Sequence, residues 1–402
     1  MSERKSTKKK PGITLLISIG LVLGIIVGFV MPAWLYTPLS VVAAIYMSAL
    51  RMMIYPLVFC SIVVGIIGIG DISKTGRIGI KSVLWYTVTT FFASALGLFL
   101  PRVLHLGEGI TIAATDASVE AASFDGLLGT LESLIPSNPF SSFVTGNMLQ
   151  VLVFAVIIGF SCLALKEKAE PFVRLCTSVN DLSIFIVGKV MLLTPIGVFC
   201  CIATVVYTNG ATTMKELAFV MIALYITYAL YAILFYGGIV KIFGKYSPLQ
   251  FFKDTAPAAL NAFGTCSSSA TLPISMSCAK KIGIPEEVSS LALPLGATIN
   301  MDAVSIVMSF MITFFASACG VPLSLGTMIT ILAANVLLSI GTPGVPGGAI
   351  AAFAALAPMA GLPIDTILGV YISVNTLADM GATCVNVLGD LACSTAMRNS
   401  ID

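Results

Sequence analysis

The chain consists mainly of long apolar runs separated by short polar stretches. A helix needs about 20 apolar residues to cross a bilayer, and eight runs meet this requirement. They lie near residues 12–32, 38–69, 79–105, 139–165, 172–208, 216–243, 287–317 and 363–396. The pattern therefore predicts eight transmembrane helices.

Two further apolar stretches, 249–281 and 326–358, are interrupted at their centres by small or helix-breaking residues, at 264–270 and 339–348 respectively. Non-helical backbone at membrane depth is tolerated only where it is buried in protein or lines a wet cavity. We therefore predict two re-entrant helical hairpins that enter from opposite faces of the membrane around the seventh span. Paired interrupted segments of this kind indicate a transporter site with inverted-repeat character.

Composition supports an all-α polytopic membrane protein: 57% of the residues are hydrophobic and 10% are charged. These values exclude a soluble enzyme, and the net charge of +2 gives no indication of nucleic-acid binding. The ten cysteines show no CxxC or Cys/His spacing, so we interpret them as small buried residues.

The basic residues indicate how the spans are oriented. With the N-terminus in the cytoplasm, the inner segments hold all but four of the 21 lysines and arginines, the exceptions being Arg51, Arg102, Lys189 and Lys215. The basic start of the chain lacks a cleavage site, so it predicts a cytoplasmic tail and a first span rather than a signal peptide. We expect a multi-pass protein of the plasma (inner) membrane with both termini cytoplasmic.

Three acidic residues, Asp302, Asp379 and Asp390, lie deep in the C-terminal spans. Each costs roughly 2.5 to 3.5 kcal/mol at the centre of a membrane helix and needs a cation or a donor. Few cationic side chains are near them in sequence, which favours bound cations. A purely structural network of aspartate with asparagine and serine is the alternative.

Neighbouring polar residues extend this picture. Asp379, Thr383, Asn386 and Asp390 fall within an arc of roughly 60° on one side of a helix. The run Asn300-Met301-Asp302 interrupts the seventh span, and the preceding Gly296 would let backbone carbonyls approach a ligand. Carboxylate, amide and carbonyl oxygens suit a hard cation such as Na⁺.

The first hairpin tip offers the hydroxyls and backbone N–H groups of Ser267, Ser268 and Ser269. Helix N-termini bind carboxylates, so this tip is a candidate for an amino acid's α-carboxylate. A serine nucleophile is a weak rival, because the chain has only one histidine, His105, and no GxSxG. In the third span, the hydroxyl residues Tyr86, Thr89 and Thr90 share a helix face.

These motifs resemble the dicarboxylate/amino acid:cation symporters, a family with the glutamate-transporter-like fold. The most specific segments are 267–273 (SSSATLP), 294–302 (PLGATINMD) and 386–390 (NVLGD). The resemblance implies a homotrimer with elevator-type alternating access and the second hairpin as outer gate. It assigns 1–78 and 108–210 to the tail, the outer loop and scaffold spans one, two, four and five, and 79–107 and 211–402 to a moving transport domain.

The same resemblance implies three sodium sites. Their residues are Gly296, Asn300, Asn386 and Asp390 for the first; Thr298 and Met301 with the carbonyls of Ser339, Ile340 and Thr342 for the second; and Tyr86, Thr89, Thr90, Asn300 and Asp302 for the third. It also implies a substrate site made by Ser267, Ser268, Ser269, Val304, Val345, Gly348, Asp379, Ala382, Thr383 and Asn386, with Asp379 holding an α-amino group.

Departures from the family pattern bear on the substrate. Members that carry acidic amino acids place an arginine at the position of Ala382, and the alternative arginine positions are Cys266 and Met380 here. An unpaired substrate carboxylate would be costly to bury. The second hairpin tip is also one residue shorter than in the glutamate branch, as in the serine/threonine branch, which leaves the register of Gly348 open by one position.

We therefore predict a sodium symporter, not an enzyme, that imports small neutral amino acids such as serine, threonine or alanine. The main alternative is a Na⁺ symporter of the same fold for cystine, glutamine or an acidic amino acid or dicarboxylate. A membrane hydrolase using Ser267 to Ser269 lacks a base and an orienting acid, and a passive channel is the remaining alternative.

Overall fold

The computed structural model of the chain describes residues 13–73, 77–108, 135–145, 147–342, 344 and 347–398. The predicted cytoplasmic tail and most of the predicted outer loop lie outside these ranges. The α-helices of the described ranges are α1 (Ile13–Val30), α2 (Ala33–Arg51), α3 (Ile54–Ser73), α4 (Arg77–Val103), α5 (Pro139–Thr145), α6 (Met148–Leu165), α7 (Glu170–Met191), α8 (Thr194–Leu230), α9 (Gly237–Ile242), α10 (Pro248–Thr265), α11 (Ser268–Ile282), α12 (Glu286–Ile299), α13 (Asp302–Ala318), α14 (Leu325–Gly341), α15 (Gly348–Leu356) and α16 (Ile364–Ala396).

Membrane-length helices dominate this arrangement. Among the described residues, five helical stretches are long and apolar enough to cross a bilayer, namely 77–103, 150–190, 215–242, 286–318 and 364–396. Shorter apolar helices also occur among the described residues, including 19–30, 33–49, 55–68, 325–341 and 348–360. The prediction of an all-helical polytopic membrane protein is confirmed.

Several predicted spans differ in their boundaries. The second span begins at Ala33 and is divided into α2 and α3, and the predicted span 172–208 is divided at Leu192 and Leu193. Helix α8 then restarts at Thr194 with a proline in its first turn, a position that suits proline because no backbone N–H is needed there. It continues for 37 residues, so the predicted loop at 209–215 is helical in the structure.

The seventh span is interrupted as the sequence predicts. Helix α12 ends at Ile299, Asn300 and Met301 are non-helical, and Asp302 opens α13. An acidic residue in the first turn of a helix is favoured by the helix dipole. Helix α13 is buried along nearly its whole length, so this interruption lies inside the protein rather than at its surface.

The two interrupted stretches form pairs of helices whose tips meet. The first tip joins α10 to α11 through Cys266, which has a left-handed backbone (φ 50°), and the extended Ser267. In the second, α15 begins after Gly347, which is also left-handed (φ 85°). The Ser267 hydroxyl donates to the Gly344 carbonyl at 3.2 Å, which connects the two tips.

An ion pair joins the two arms of the first hairpin at the end opposite its tip. Lys281 Nζ on α11 lies 2.8 Å from Asp254 Oδ1 on α10, and Tyr246 and Gln250 also donate to this carboxylate. The Lys281 contact, followed by those of Tyr246 and Gln250, lowers the pKa of Asp254 to about 2. The carboxylate therefore remains charged throughout the physiological range.

Helix α1 packs closely on the first half of α8 through a stripe of small residues. Gly20, Gly24 and Gly28 recur every four residues and face α8. A Cβ atom at Gly24 would lie 2.8 Å from the Phe199 carbonyl oxygen and 2.9 Å from Ile202 Cγ2. Small residues of this kind allow membrane helices to pack by close van der Waals contact.

This packing can be tested by adding one methyl group. We expect Gly24→Ala to lower the thermal midpoint of the purified protein, because overpacking costs about 1–3 kcal/mol. The matched control is Gly188→Ala in α7, where a Cβ atom would meet nothing within 4 Å. There the gain in helix propensity of about 0.5–1 kcal/mol should leave the midpoint unchanged or higher. Equal effects of the two variants would contradict the packing argument.

Candidate functional site

The carboxylate of Asp302 is surrounded by hydroxyl donors from two other segments. Thr90 Oγ1 on α4 lies 2.8 Å from Asp302 Oδ1, and Thr89 Oγ1 lies 3.1 Å from the same oxygen. The Tyr236 hydroxyl donates to Asp302 Oδ2 at 2.7 Å. The Asp302 side chain is fully buried, so these hydroxyls replace the water that would otherwise solvate the charge.

Tyr236 reaches Asp302 because of an irregular helical segment. Residues Tyr231–Tyr236, between α8 and α9, form a π-helix, in which hydrogen bonds join residues five apart. The Tyr231 hydroxyl donates to the Thr89 carbonyl at 2.6 Å, so both ends of this segment contact the same site. Sequence reasoning missed both tyrosines, since a spacing of five does not place two residues on one face of an α-helix.

A second carboxylate, Asp390 on α16, lies beside the interruption of the seventh span. Asn300 Nδ2 donates to Asp390 Oδ1 at 2.9 Å. A Cβ atom at Gly296 would clash with Asp390 Oδ1, so this glycine permits the close approach of α12 and α16. Asn386 Oδ1 accepts the Ala303 N–H at 2.7 Å. The structure thus brings together the four residues of the first predicted sodium site.

The residues predicted for the third sodium site also lie close together. Besides its contact with Asp302, Thr89 Oγ1 lies 3.3 Å from Asn300 Oδ1 and 3.1 Å from the Tyr86 carbonyl oxygen. The Tyr86 hydroxyl donates to the Ala292 carbonyl at 2.8 Å. Asn300 therefore joins this group to Asp390, because its amide bonds to Asp390 directly and contacts Thr89, which in turn contacts Asp302.

The second predicted sodium site is brought together in part. Ser339 Oγ accepts the Met301 N–H at 3.1 Å and lies 3.2 Å from the Ile299 carbonyl oxygen. The two threonines of the set bond to backbone carbonyls of the turn before them: Thr298 Oγ1 donates to Leu295 O at 2.7 Å and Thr342 Oγ1 to Leu338 O at 2.7 Å. The last member, Ile340, packs beside Gly65 of α3.

The third carboxylate, Asp379, faces the second hairpin. Its Oδ2 accepts the Gly347 N–H at 3.3 Å, and Thr383 Oγ1 donates to the Asp379 backbone carbonyl at 2.8 Å. The glycine that contacts this carboxylate is therefore Gly347, while the predicted Gly348 opens α15 one position later. Val345, also predicted to contact substrate, lies outside the described residues.

The first hairpin tip lies close to the second. Ser267 caps α11, since its Oγ accepts the Ala270 N–H at 3.2 Å. Ser268 is buried and Ser269 is exposed, so the three serines face different surroundings. The hydroxyl of Ser267 bonds to the Gly344 carbonyl, and His105 is an exposed residue paired with Glu108. Within the described part of the chain, the Ser267 hydroxyl is thus bonded to a carbonyl and not to a base.

The residues at the positions predicted to face a substrate side chain are uncharged. Val304, Cys266 and Ala382 are buried, and Met380 is partly buried. Among the described residues, no lysine or arginine forms an ion pair with Asp302, Asp379 or Asp390. In the same part of the chain, no group of three His, Cys, Asp or Glu residues could hold a metal ion. The site therefore offers neutral oxygens and three carboxylates.

Comparisons with known proteins agree with the sequence motifs. A family model described as "Sodium:dicarboxylate symporter family" matches residues 13–400. C4-dicarboxylate transport protein 1 of Pseudomonas aeruginosa is 31% identical over 402 residues, covering 97% of this chain and 89% of that protein. The C4-dicarboxylate transport protein of Bacillus subtilis is 30% identical over 387 residues, covering 94% and 91%. Proton/sodium-glutamate symport protein of Bacillus caldotenax is 27% identical over 394 residues, covering 95% and 93%.

The role of Tyr236 can be tested with Tyr236→Phe. This change leaves Asp302 Oδ2 without its donor, and an unsatisfied buried acceptor costs about 1–3 kcal/mol. We therefore expect a lower thermal midpoint of the purified protein. The control is Tyr246→Phe, which removes a bond of the same 2.7 Å length to Asp254 but leaves Lys281 and Gln250 bound to that carboxylate. If Tyr246→Phe lowered the thermal midpoint more than Tyr236→Phe, this role of Tyr236 as the donor to Asp302 would be contradicted.

Proposed function

Because the chain belongs to the sodium:dicarboxylate symporter family, whose members are membrane transporters and not enzymes, we propose that it imports a small neutral amino acid together with Na⁺. Family membership and symport follow from the match over residues 13–400. The neutral substrate, the use of Na⁺ and the residues of each site are our proposals. Each is supported by the arrangement of the buried polar side chains.

Sodium is supported by the charge balance of the interior. Asp302 and Asp390 are buried with only neutral donors around them among the described residues. Burying carboxylates without a counter-charge is expensive, and bound cations would remove that cost. The oxygens of Asn300, Thr89 and Thr90 are ligands of the type that hard cations prefer. The name of the Bacillus caldotenax relative mentions both proton and sodium.

The choice of a neutral amino acid as substrate is supported by the chemical groups predicted to lie around Asp379. This buried carboxylate can hold a substrate ammonium group, and the hairpin tip at Ser267 to Ser269 can bind an α-carboxylate. The single observation that carries the choice of substrate is that Ala382, Val304 and Cys266 provide no cation for a side-chain carboxylate. A buried, unpaired carboxylate of glutamate or aspartate would cost several kcal/mol.

An acidic substrate is the second candidate, and the relatives favour it. The names of the compared proteins refer to glutamate and to C4-dicarboxylates. A dicarboxylate without an amino group would also leave Asp379 without a cationic partner. Glutamate would supply that ammonium group, but its side-chain carboxylate would find no cation at Ala382, Val304 or Cys266. We therefore rank both acidic candidates below the neutral one for this chain.

The proposed mechanism uses the second hairpin as a gate. Two hydrogen bonds hold its tip. The Gly347 N–H donates to the Asp379 carboxylate, and the Gly344 carbonyl accepts from Ser267 of the first hairpin. An arriving ammonium group would compete with Gly347 for this carboxylate, which couples substrate binding to the position of the tip. We further propose a homotrimer, with 79–107 and 211–402 moving as the transport domain and both termini in the cytoplasm.

Uptake by proteoliposomes tests the substrate class. Under an inward Na⁺ gradient, we expect uptake of labelled serine, threonine or alanine, and competition by these amino acids but not by aspartate, glutamate or succinate. A K⁺ gradient of equal size serves as the control for sodium. Preferential uptake of aspartate or succinate would establish the second candidate instead.

A single substitution tests the position of the side-chain pocket. We expect Ala382→Arg to lower uptake of neutral amino acids by about tenfold or more, because one buried unpaired charge exceeds 1.4 kcal/mol. The variant should also gain competition by aspartate or glutamate, since the arginine would pair with their side-chain carboxylate. Ala382→Leu is the control, because it adds bulk without charge. It should lower uptake of neutral amino acids without any competition by aspartate or glutamate. A folded Ala382→Arg protein with no affinity for acidic amino acids would argue against this pocket.

A further inference from the structure

A second layer of polar side chains lies one helical turn away from the Asp302 site. Ser94 follows Thr90 by four positions on α4, Ser305 follows Asp302 by three on α13, and Asn335 precedes Ser339 by four on α14. Residues three or four apart lie on the same face of a helix. The three helices that meet at Asp302 therefore also meet at this second layer, which Ser309 completes.

The side chains of the second layer are fully buried, and those of Ser94, Ser309 and Asn335 are bonded to one another. Asn335 Nδ2 lies 3.0 Å from Ser94 Oγ, 2.8 Å from Ser309 Oγ and 2.9 Å from the Ser305 carbonyl oxygen. The hydroxyls of Ser94 and Ser309 are 2.9 Å apart. The bond to the Ser305 carbonyl fixes the orientation of the amide, because a carbonyl oxygen can only accept.

Two atoms of this layer have no partner in the described part of the chain. They are Asn335 Oδ1 and Ser305 Oγ. A buried polar atom without a hydrogen bond costs about as much as a lost bond, and here two such atoms belong to one cluster. The unpaired Oδ1 is an acceptor, so the missing partner is a hydrogen-bond donor or a cation.

Close helix packing holds the layer in place. A Cβ atom at Gly97 would lie 2.5 Å from the Ile306 carbonyl oxygen and 2.9 Å from Ser309 Cβ. This glycine lets α4 and α13 approach closely beside the cluster. Helix α13, which carries Ser305 Oγ, is therefore held closely against α4. The bond from Asn335 Nδ2 to the Ser305 carbonyl holds α14, which carries Asn335 Oδ1, against α13, so the layer is preorganised to bind a ligand.

We propose that Asn335 Oδ1 and Ser305 Oγ bind a sodium ion at a position one helical turn from Asp302, outside the three sodium sites expected from the family. This inference rests on the sodium coupling proposed above. Ser339 Oγ lies 3.5 Å from Thr90 Oγ1, which in turn donates to Asp302. Oxygen ligands therefore continue from the second layer to the carboxylate, and a sodium ion held in the layer would be attracted by that buried negative charge.

Direct sodium binding tests the proposal without knowledge of the substrate. We would measure ²²Na⁺ binding to the purified full-length protein together with its thermal midpoint. For Ser305→Ala we expect a dissociation constant for Na⁺ about fivefold or more above that of the unmodified protein. The thermal midpoint should stay the same or rise, because the variant removes an unpaired buried hydroxyl. A merely structural hydroxyl would not give weaker sodium binding together with equal or greater stability.

A matched control and a second variant make the result specific. Ser82→Ala removes a hydroxyl that is equally buried on α4 but already bonded to the Ile78 carbonyl at 2.9 Å, so sodium binding should not change. Asn335→Leu removes the other free oxygen and should weaken sodium binding as Ser305→Ala does. Sodium binding by Ser305→Ala equal to that of the unmodified protein would show that the layer holds water only, and would overturn the inference. No ²²Na⁺ binding by the unmodified protein would instead overturn the proposed sodium coupling itself.

Discussion

Three aspartate side chains buried in an apolar helical bundle set the constraint on which the rest of the site depends. Asp302, Asp379 and Asp390 have neutral donors as their hydrogen-bond partners among the described residues. A buried carboxylate is stable only when its lost hydration is replaced. The hydroxyls, amides and backbone N–H groups around the three residues replace part of it. In the function proposed above, a cation or a substrate ammonium group replaces the rest.

The non-helical segments of the backbone lie together near the buried carboxylates, where the need for polar partners is greatest. The interruption at Asn300 and Met301, the first hairpin tip at Ser267 and the second at Gly347 come together around the carboxylates. Unwound backbone exposes N–H and carbonyl groups that a continuous helix would keep for itself. These breaks therefore present backbone groups near the carboxylates. The break at Asn300 and Met301 is fully buried, between the buried helices α13 and α16.

Much of this arrangement could be predicted from the sequence. Long apolar runs predict the helices, and the rarity of intramembrane acids points to the site, because both signals depend on solvation and not on tertiary detail. Other features depend on packing between distant segments. Nothing local distinguishes Gly347 from Gly348 as the partner of Asp379, and Asn209-Gly210 would suit a turn although the structure continues α8 through it. The orphaned oxygens of Asn335 and Ser305 become visible only when three helices are placed side by side.

The π-helical segment Tyr231–Tyr236 has a consequence for how length changes act on this protein. In an α-helix, residues five apart differ by roughly 140° in direction, whereas here Tyr231 and Tyr236 contact the same site. Removing one residue from the segment would change the rotational phase of everything after it and would separate Tyr236 from Asp302, even though every side chain type was retained. In this stretch the residue count matters as much as residue identity. A relative whose segment is one residue shorter would need another hydrogen-bond donor, in place of this tyrosine, for its buried carboxylate.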